Sequence, residues 1–292
     1  MDSIKLQAYG KINLSLDVLR QREDGYHDVR MIMQTVKLHD NIDLQKTREP
    51  GIRIKTNLSF LPVNENNLMY RAAKLLMDEF DIKEGVSMQL KKVIPVSAGM
   101  AGGSTDAASV FYGMNKLFDL KLSIEELKKR AVTLGADIPF CLMRGTALSE
   151  GIGEILTPLP KLPPCPIVLA KPAISVSTKF VYQNLHVNDL PGSAHPDVDS
   201  VIEALSRHDI KDVAECMGNI LETVTCTHYP EIEDIKAAMK ELGAVNAIMS
   251  GSGPTVFGIF DDEHKAKKCY ESLRFGKNKH LAKQVYLTEP WR

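Results

Sequence analysis

Residues 94–108, Ile94-Pro95-Val96-Ser97-Ala98-Gly99-Met100-Ala101-Gly102-Gly103-Ser104-Thr105-Asp106-Ala107-Ala108, constrain this chain more than any other segment. Three glycines fall within five residues, between a strand expected at 86–93 and a helix-forming run at 107–117. Glycine adopts positive φ and lets a ligand approach the backbone, both at little steric cost. Ser104 is expected to N-cap the helix that follows. A glycine turn that opens a helix presents unpaired N–H groups and the positive end of a helix dipole to one point. A phosphate fits such a point. No Gly-Lys-Ser/Thr closes the segment, so it is not a Walker A loop. It also lacks the G-x-G-x-x-G spacing and following acidic residue of a dinucleotide fold. A tight connection with no ligand is the competing reading.

The pattern on either side places that turn among strands and helices. Ile4, Leu6, Ala8, Ile12, Leu14, Leu16 and Val18 all fall on even positions, the period of a half-buried strand. Lys11, Asn13, Ser15 and Asp17 then share its other face. A reverse turn at Glu23-Asp24-Gly25 leads to a second alternating run at Ile32, Gln34, Val36 and Leu38, and shorter strands are expected at 42–44 and 51–55. A helix over 67–80 sets Leu68, Ala72, Leu75, Leu76 and Phe80 on one face. Ser123-Ile124-Glu125-Glu126 reads as a capping box for another helix, closed by Gly135.

Four prolines in the eight residues 159–166 mark a seam, dividing the chain into 1–158 and 159–292. Beyond it a strand is expected at 167–170, and helices at 178–185, 198–206, 210–223 and 231–242. Strands at 245–249 and 255–260 follow, joined by Ser250-Gly251-Ser252-Gly253-Pro254, then a helix at 263–273 and a strand at 284–287. Strands that come first and helices later indicate an α+β fold. The second half suits a small antiparallel sheet with helices on one face, ferredoxin-like. Residues 189–196 read either as a mobile edge loop or as a plain connector.

A length of 292 residues suits one large domain or two of ordinary size. A net charge of −1 and 6% aromatic residues argue against a surface built for nucleic acid or an anionic membrane. The five cysteines lie far apart with no C-x-x-C, which reads as reduced thiols and gives no zinc spacing. No signal-peptide pattern and no apolar run of about 18 residues is present, so a cytoplasmic protein is expected.

Four features could carry chemistry together: Lys11, the loop at 99–104, Asp137 and the second glycine turn at 251–253. Separately each has a plain reading. A lysine on a strand face is mostly solvated, Asp137 could serve a helix exit turn, and Gly-Ser-Gly-Pro makes a good hairpin connection. Together they would serve phosphoryl transfer, which needs positioning, cancelled phosphate charge and a group near the attacking hydroxyl. The glycine loop supplies backbone donors. An aspartate takes the hydroxyl proton, and a lysine keeps it ionised and favours the developing alkoxide.

Residues 95–105 resemble the phosphate loop of the GHMP kinases (galactose, homoserine, mevalonate and phosphomevalonate kinases). Ala8-Tyr9-Gly10-Lys11-Ile12-Asn13-Leu14 is similar to their N-terminal motif, and residues 250–254 to their C-terminal glycine motif. Within the family, Asp24-Gly25-Tyr26-His27, Gln34 and Gly135-Ala136-Asp137-Ile138-Pro139-Phe140 resemble the branch that phosphorylates the tertiary hydroxyl of a cytidylyl sugar alcohol. The resemblance implies a two-domain GHMP kinase fold, with a ribosomal-protein-S5-like N-terminal domain that binds ATP and a ferredoxin-like C-terminal domain. It implies ATP with Mg2+, a small-molecule cytidylyl substrate, no nucleic acid or membrane partner, and a monomer or weak homodimer. It implies Lys11 and Asp137 as the catalytic pair. Asn67, Leu68, Lys92, Pro95, Gly99, Met100, Ala101, Gly102, Gly103, Ser104 and Thr105 would bind ATP. Asn13, Tyr26, His27, Asp137, Thr178 and Tyr182 would bind the substrate. No acidic residue is assigned to the metal. Met100 stands where leucine is usual, Thr105 where serine is usual, and Tyr182 where a phenylalanine is expected. A kinase of the homoserine or mevalonate type, and a nucleotide-binding regulator without catalysis, remain the alternatives.

Overall fold

The strict alternation at the N-terminus yields one long strand, β1 (Ser3–Gln21), in the computed structural model, which describes residues 2–291. The reverse turn follows: Gly25 has φ +83° and donates its N–H to the Arg22 carbonyl. The next strand, β2 (His27–Thr47), is longer than its pattern suggests. The run at 42–44 is not a separate strand but its continuation, because neither glycine nor proline interrupts residues 27–47. β3 (Ile52–Thr56), α1 (Leu68–Glu79) and β4 (Gly85–Lys91) lie close to their expected places. α2 (Gly102–Leu117) follows the glycine loop.

α3 (Ile124–Ala131) opens on the expected capping box. Ser123 donates its N–H to Glu126 Oε2 at 2.8 Å, and Glu126 donates its own to Ser123 Oγ at 3.3 Å. The helix stops before Gly135: the N–H groups of Thr133, Leu134 and Gly135 turn to carbonyls three residues back, a tighter winding that ends the α-helix. α4 (Ile138–Met143), β5 (Thr146–Glu150) and β6 (Ile155–Pro158) come next.

After the proline-rich seam come β7 (Ile167–Lys171), α5 (Thr178–Gln183), α6 (Val198–Arg207) and α7 (Ile210–Cys216). The single helix expected over 210–223 is instead α7, a two-residue strand β8 (Gly218–Asn219) and α8 (Glu222–His228). Gly218 is costly inside a helix, and the Asn219 side chain accepts the Leu221 N–H, which competes with a helical ladder. α9 (Glu231–Glu241), β9 (Asn246–Met249), β10 (Val256–Ile259), α10 (Glu263–Arg274) and β11 (Gln284–Thr288) complete the chain.

These elements pack into two units. The first is Met1–Gly10, Leu38–Val96 and Ala101–Arg144; the second is Lys11–Lys37, Ser97–Met100 and Gly145–Arg292. The bounds do not follow the seam at 158–159, because β1 and β2 each run through both units. In the first, residues 41–47 of β2 pair antiparallel with β4, and β3 pairs parallel with β4. α1 and α2 pack on each other over a core that includes Ile42, Leu44, Leu76, Val86, Met88, Phe111 and Met114, all essentially without solvent access. In the second, residues 31–34 of β2 pair with β5, which pairs with β6, and Ser15 and Leu16 of β1 lie beside β8. The remaining strands form the expected antiparallel sheet, in the order β11-β7-β10-β9, with α9 and α10 packed on it. The connector at 189–196 contains a short 3-10 turn, and His195 Nδ1 lies 2.8 Å from Asp17 Oδ1 of β1. Among the described residues no helix is long and apolar enough to cross a membrane.

Removing a large side chain from the first unit's core leaves a cavity, whereas removing the Ser123 cap loses two hydrogen bonds at an exposed helix start. Phe111→Ala should therefore cost about 3–5 kcal/mol, and Ser123→Ala about 1 kcal/mol. Urea unfolding midpoints of the two variants against wild type check the difference.

Candidate functional site

The polar side of β1 is buried like its apolar side. Lys11 is 5% exposed, Asn13 and Ser15 0% and Asp17 7%. The solvated reading of Lys11 therefore fails. Its ammonium donates to Asn13 Oδ1 at 2.7 Å, and Asn13 Nδ2 donates to Met31 Sδ at 3.2 Å. Burying an amine is costly without such partners. The Lys11 N–H donates to the Met100 carbonyl, which ties β1 to the glycine loop.

The two glycine motifs, some 150 residues apart in sequence, meet in the second unit. Ser250 Oγ donates to the Gly99 carbonyl at 2.9 Å. A Cβ on Gly99 would stand 2.0 Å from the Ser250 carbonyl oxygen, and its φ is +72°, so both space and backbone demand glycine there. A Cβ on Gly251 would approach the Gly99 carbonyl oxygen to 3.1 Å and Asn13 Oδ1 to 3.6 Å. Asn219 secures the turn by donating to the carbonyls of Met249 and Gly251, both at 2.8 Å. Thr178 Oγ1 lies 2.8 Å from Ser252 Oγ. Lys11, Asn13, Gly99, Met100, Thr178 and the 250–253 turn are thus brought together. Asn219 and Ser250 are additions to the residues read from sequence. Ser250 lay within a motif already singled out, but nothing in the pattern marked Asn219.

In the first unit, Ala101 has φ +53° and α2 begins at Gly102. Ser104 therefore lies inside the first turn and does not N-cap it: Gly102 and Gly103 take helical geometry themselves. The first intrahelical bond runs from Thr105 N–H to the Ala101 carbonyl. The N–H groups of Gly102, Gly103 and Ser104 therefore precede the ladder. A Cβ on Gly103 would meet within 4 Å only Leu68 Cδ1, at 3.7 Å, so neither packing nor φ requires glycine at 103. A Cβ on Gly102 would come 2.9 Å from Lys92 Nζ. Asn67, Leu68, Gly102 and Gly103 form one neighbourhood, with Asn67 capping α1 through Met69 N–H and donating to the Pro62 carbonyl. Thr105 Oγ1 donates to the Tyr9 carbonyl at 2.7 Å. Pro95 is buried. Lys92 is also buried, with its ammonium 2.6 Å from both Asp40 and Asp106. Asp137 is half-buried at the start of α4, not at a helix exit. Its carbonyl accepts the Cys141 N–H and its side chain makes no cap bond.

The third group belongs to the second unit. The His27 and Tyr182 rings lie 5.1 Å apart at 44°. Burial pushes the His27 pKa below its usual value, which favours the neutral imidazole at pH 7. Tyr26 stands beside it, 61% exposed. Thr178 and Tyr182 are four residues apart on α5 and so share a face.

Among the described residues, one group of three side chains has metal-ligand spacing: Glu222, Cys226 and Glu233. Lys236 already donates to both of these carboxylates, at 2.7 and 2.8 Å, and the third member is a thiol, which a hard oxygen-seeking cation does not prefer, so the cluster does not fit Mg2+.

The GHMP kinases N terminal domain family matches residues 67–145, and GHMP kinases C terminal matches residues 201–278. A 4-diphosphocytidyl-2-C-methyl-D-erythritol kinase of Lachnospira eligens is 55% identical over 289 residues, 99% of both chains. One from Lachnoclostridium phytofermentans is 53% identical over 288 residues, 99% of this chain and 97% of its own. A crystal structure of 4-(cytidine 5'-diphospho)-2C-methyl-D-erythritol kinase superposes with a TM-score of 0.83 at 31% identity, over 99% of this chain and 100% of that one. A homoserine kinase from Cytophaga hutchinsonii reaches 0.80 at 22% identity, over 99% of this chain and 95% of its own, a likeness of fold alone.

The two loop glycines predict opposite outcomes. Gly99→Ala should destabilise the protein by about 2 kcal/mol or more, through the clash and the positive φ. Gly103→Ala should stay within about 1 kcal/mol of wild type. Thermal melts without ligand distinguish them.

Proposed function

Because this chain belongs to the 4-diphosphocytidyl-2-C-methyl-D-erythritol kinases of the GHMP kinase family, we propose that it transfers the γ-phosphoryl group of ATP to the tertiary 2-hydroxyl of that compound. The likeness to homoserine and mevalonate kinases stops at the fold. The observation that carries the reading is the contact of the two glycine motifs, Ser250 on Gly99, beside a buried Lys11 and Asn13. A pair of glycine turns bonded to each other is hard to explain as two unrelated connections.

In this reading ATP lays its phosphates on the start of α2. Residues 99–105, with Pro95 before them, form the cradle. The free N–H groups of residues 102–104 and the dipole of a 16-residue helix favour the negative charge. The open side of Gly103 gives the phosphates their approach. Asn67, Leu68 and Lys92 border the rest of the nucleotide. Mg2+ accompanies ATP as the counter-ion of its phosphates, and no protein ligand for it is assigned.

Asp137 takes the proton of the 2-hydroxyl as its oxygen bonds to the γ-phosphorus. The bond to the departing ADP oxygen breaks, and the phosphate ester and ADP are released. Lys11 offsets the negative charge that builds on the attacking oxygen, and Asn13 orients the polyol and diphosphate. Tyr26 and Tyr182 stack on cytosine, which gives affinity without identity. Neutral His27 offers one N–H and one lone pair, which reads the base edge. Thr178 completes the substrate side. The division into an ATP-binding N-terminal domain 1–158 and a C-terminal domain 159–292 that contributes to substrate binding, a cytoplasmic location and a monomer or weak homodimer belong to the same proposal.

Asp137→Asn should keep the fold and ATP affinity but lower kcat by roughly 10²-fold or more. Near-normal turnover in a folded Asp137→Asn enzyme would remove it from this role. A uridine analogue reverses the donor and acceptor at the base edge. It should therefore be a much poorer substrate, because unpaired groups in a polar site are strongly rejected. Steady-state kcat/KM for the two substrates makes the comparison, and equal values would mean that the edge is not read.

A further inference from the structure

The mechanism above leaves Asp106 unused, yet it is the least expected residue of α2. It is a carboxylate, 3% exposed, at the head of an otherwise apolar run. Its Oδ2 accepts from Lys92 Nζ at 2.6 Å, while its Oδ1 is buried and makes no hydrogen bond among the described residues. The same ammonium donates to Asp40 Oδ2 at 2.6 Å. Asp40 Oδ1 accepts the backbone N–H groups of Val93 and Ile94, the latter at 2.8 Å. Lys92 Nζ also underlies Gly102, where a Cβ would come within 2.9 Å of it. One ammonium therefore ties the chain entering the glycine loop, at 92–94, to the first turn of α2, at 102–106.

We propose that Asp106 is a positioning residue for the phosphate loop. It acts through Lys92 to fix the first turn of α2 against the strand that leads into the loop. This rests on reading that loop as the ATP-phosphate site. The charge count supports it. Two carboxylates against one ammonium would leave a net negative charge behind a site for phosphates. Burial pushes the Asp106 carboxyl well above the usual carboxylate range; Lys92 opposes that shift and Asp40 adds to it. Burial also opposes the charge on Lys92, but Asp106 and Asp40 outweigh it and raise its pKa. A proton on Asp106, the direction in which burial pushes it, would bring this cluster of one ammonium and two carboxyl groups towards zero. The protonated acid would still offer an oxygen to Lys92, and its second oxygen would become a donor.

Three variants test the assignment: Asp106→Ala, Asp106→Asn and Asp106→Ser. Each is checked for a wild-type melt, and KM for ATP, KM for the cytidylyl substrate and kcat are then measured separately. Asp106→Ala should raise KM for ATP about tenfold or more, with the cytidylyl KM unchanged, because a displaced turn misplaces the phosphate donors. Asp106→Asn, neutral and of the same shape, should restore KM for ATP nearly to wild type. Where Asp106→Ala does not fold, Asp106→Ser is read in its place, its side chain being too short to reach Lys92. A folded Ala or Ser variant with unchanged KM for ATP, or with both KM values rising alike, overturns the proposal. An Asn variant as impaired as the truncations overturns the neutral-acid form of it. If the wild-type enzyme itself fails to bind a non-hydrolysable ATP analogue, the loop reading fails instead.

Discussion

The structure depends on a strand whose middle, residues 10–18, gives neither face to water. β1 sends Ala8, Ile12, Leu14, Leu16 and Val18 to one side, which is the usual use of a strand. On the other side it buries a lysine, an asparagine, a serine and an aspartate, which is costly unless polar partners compensate. Those partners organise the surroundings. Lys11 bonds Asn13, Asn13 reaches Met31 of β2, and Asp17 accepts the Val18 N–H and faces His195. The backbone of Lys11 holds Met100, so the loop that receives phosphate in the proposed reaction is fixed from the same strand. Polar side chains placed this way are already ordered and desolvated before a ligand arrives, which is the condition for charge stabilisation without reorganisation.

Much of this was readable from the chain. The strand period, the reverse turn at Gly25, the capping box at Ser123 and the two glycine motifs all rest on local chemistry, and local chemistry is what a sequence displays. Elements that depend on distant partners were not readable. β5 and β6 are short and gain their ladders from β2 and from each other. α4 is six residues long and begins beside Pro139, too brief for a helical period to show. The break at 217–219 turns on one asparagine whose amide bonds two carbonyls some thirty residues away. At the site, residue identities marked Lys11 and the loop, but not that the polar face of β1 would be buried. The start of α2 was misplaced because a serine after two glycines looks like a cap, whereas Ala101 takes the left-handed turn. Asp106 carried a usable signal, a lone carboxylate leading an apolar helix beside a glycine loop. Asp40, which shares its lysine, carried none.

The same fold serves kinases of other small alcohols, as the homoserine and mevalonate kinases show. In the proposed reading, phosphate handling and base recognition lie on different parts of the chain. The glycine loop and its buried supports are compatible with any phosphoryl acceptor. The buried His27 and half-buried Tyr182 rings are a local arrangement at the start of β2 and on α5. On that reading, substrate choice can drift at such a place while the proposed phosphate site stays fixed.

The chain passes between its two packing units at residues 10–11, 37–38, 96–97, 100–101 and 144–145. Neither unit is an unbroken stretch of polypeptide. No single cut in the coding sequence, and no one cleavage of the protein, releases either as a self-contained piece. Strands laid down early must wait for partners made much later, such as β2 for β5 and β1 for β8. An incomplete nascent chain therefore exposes unpaired strand edges, a hazard during synthesis that a beads-on-a-string protein avoids. The interleaving also limits how such an enzyme can be remodelled by descent. Whole-unit exchange with another protein is closed to it, and change must come through residues and loops.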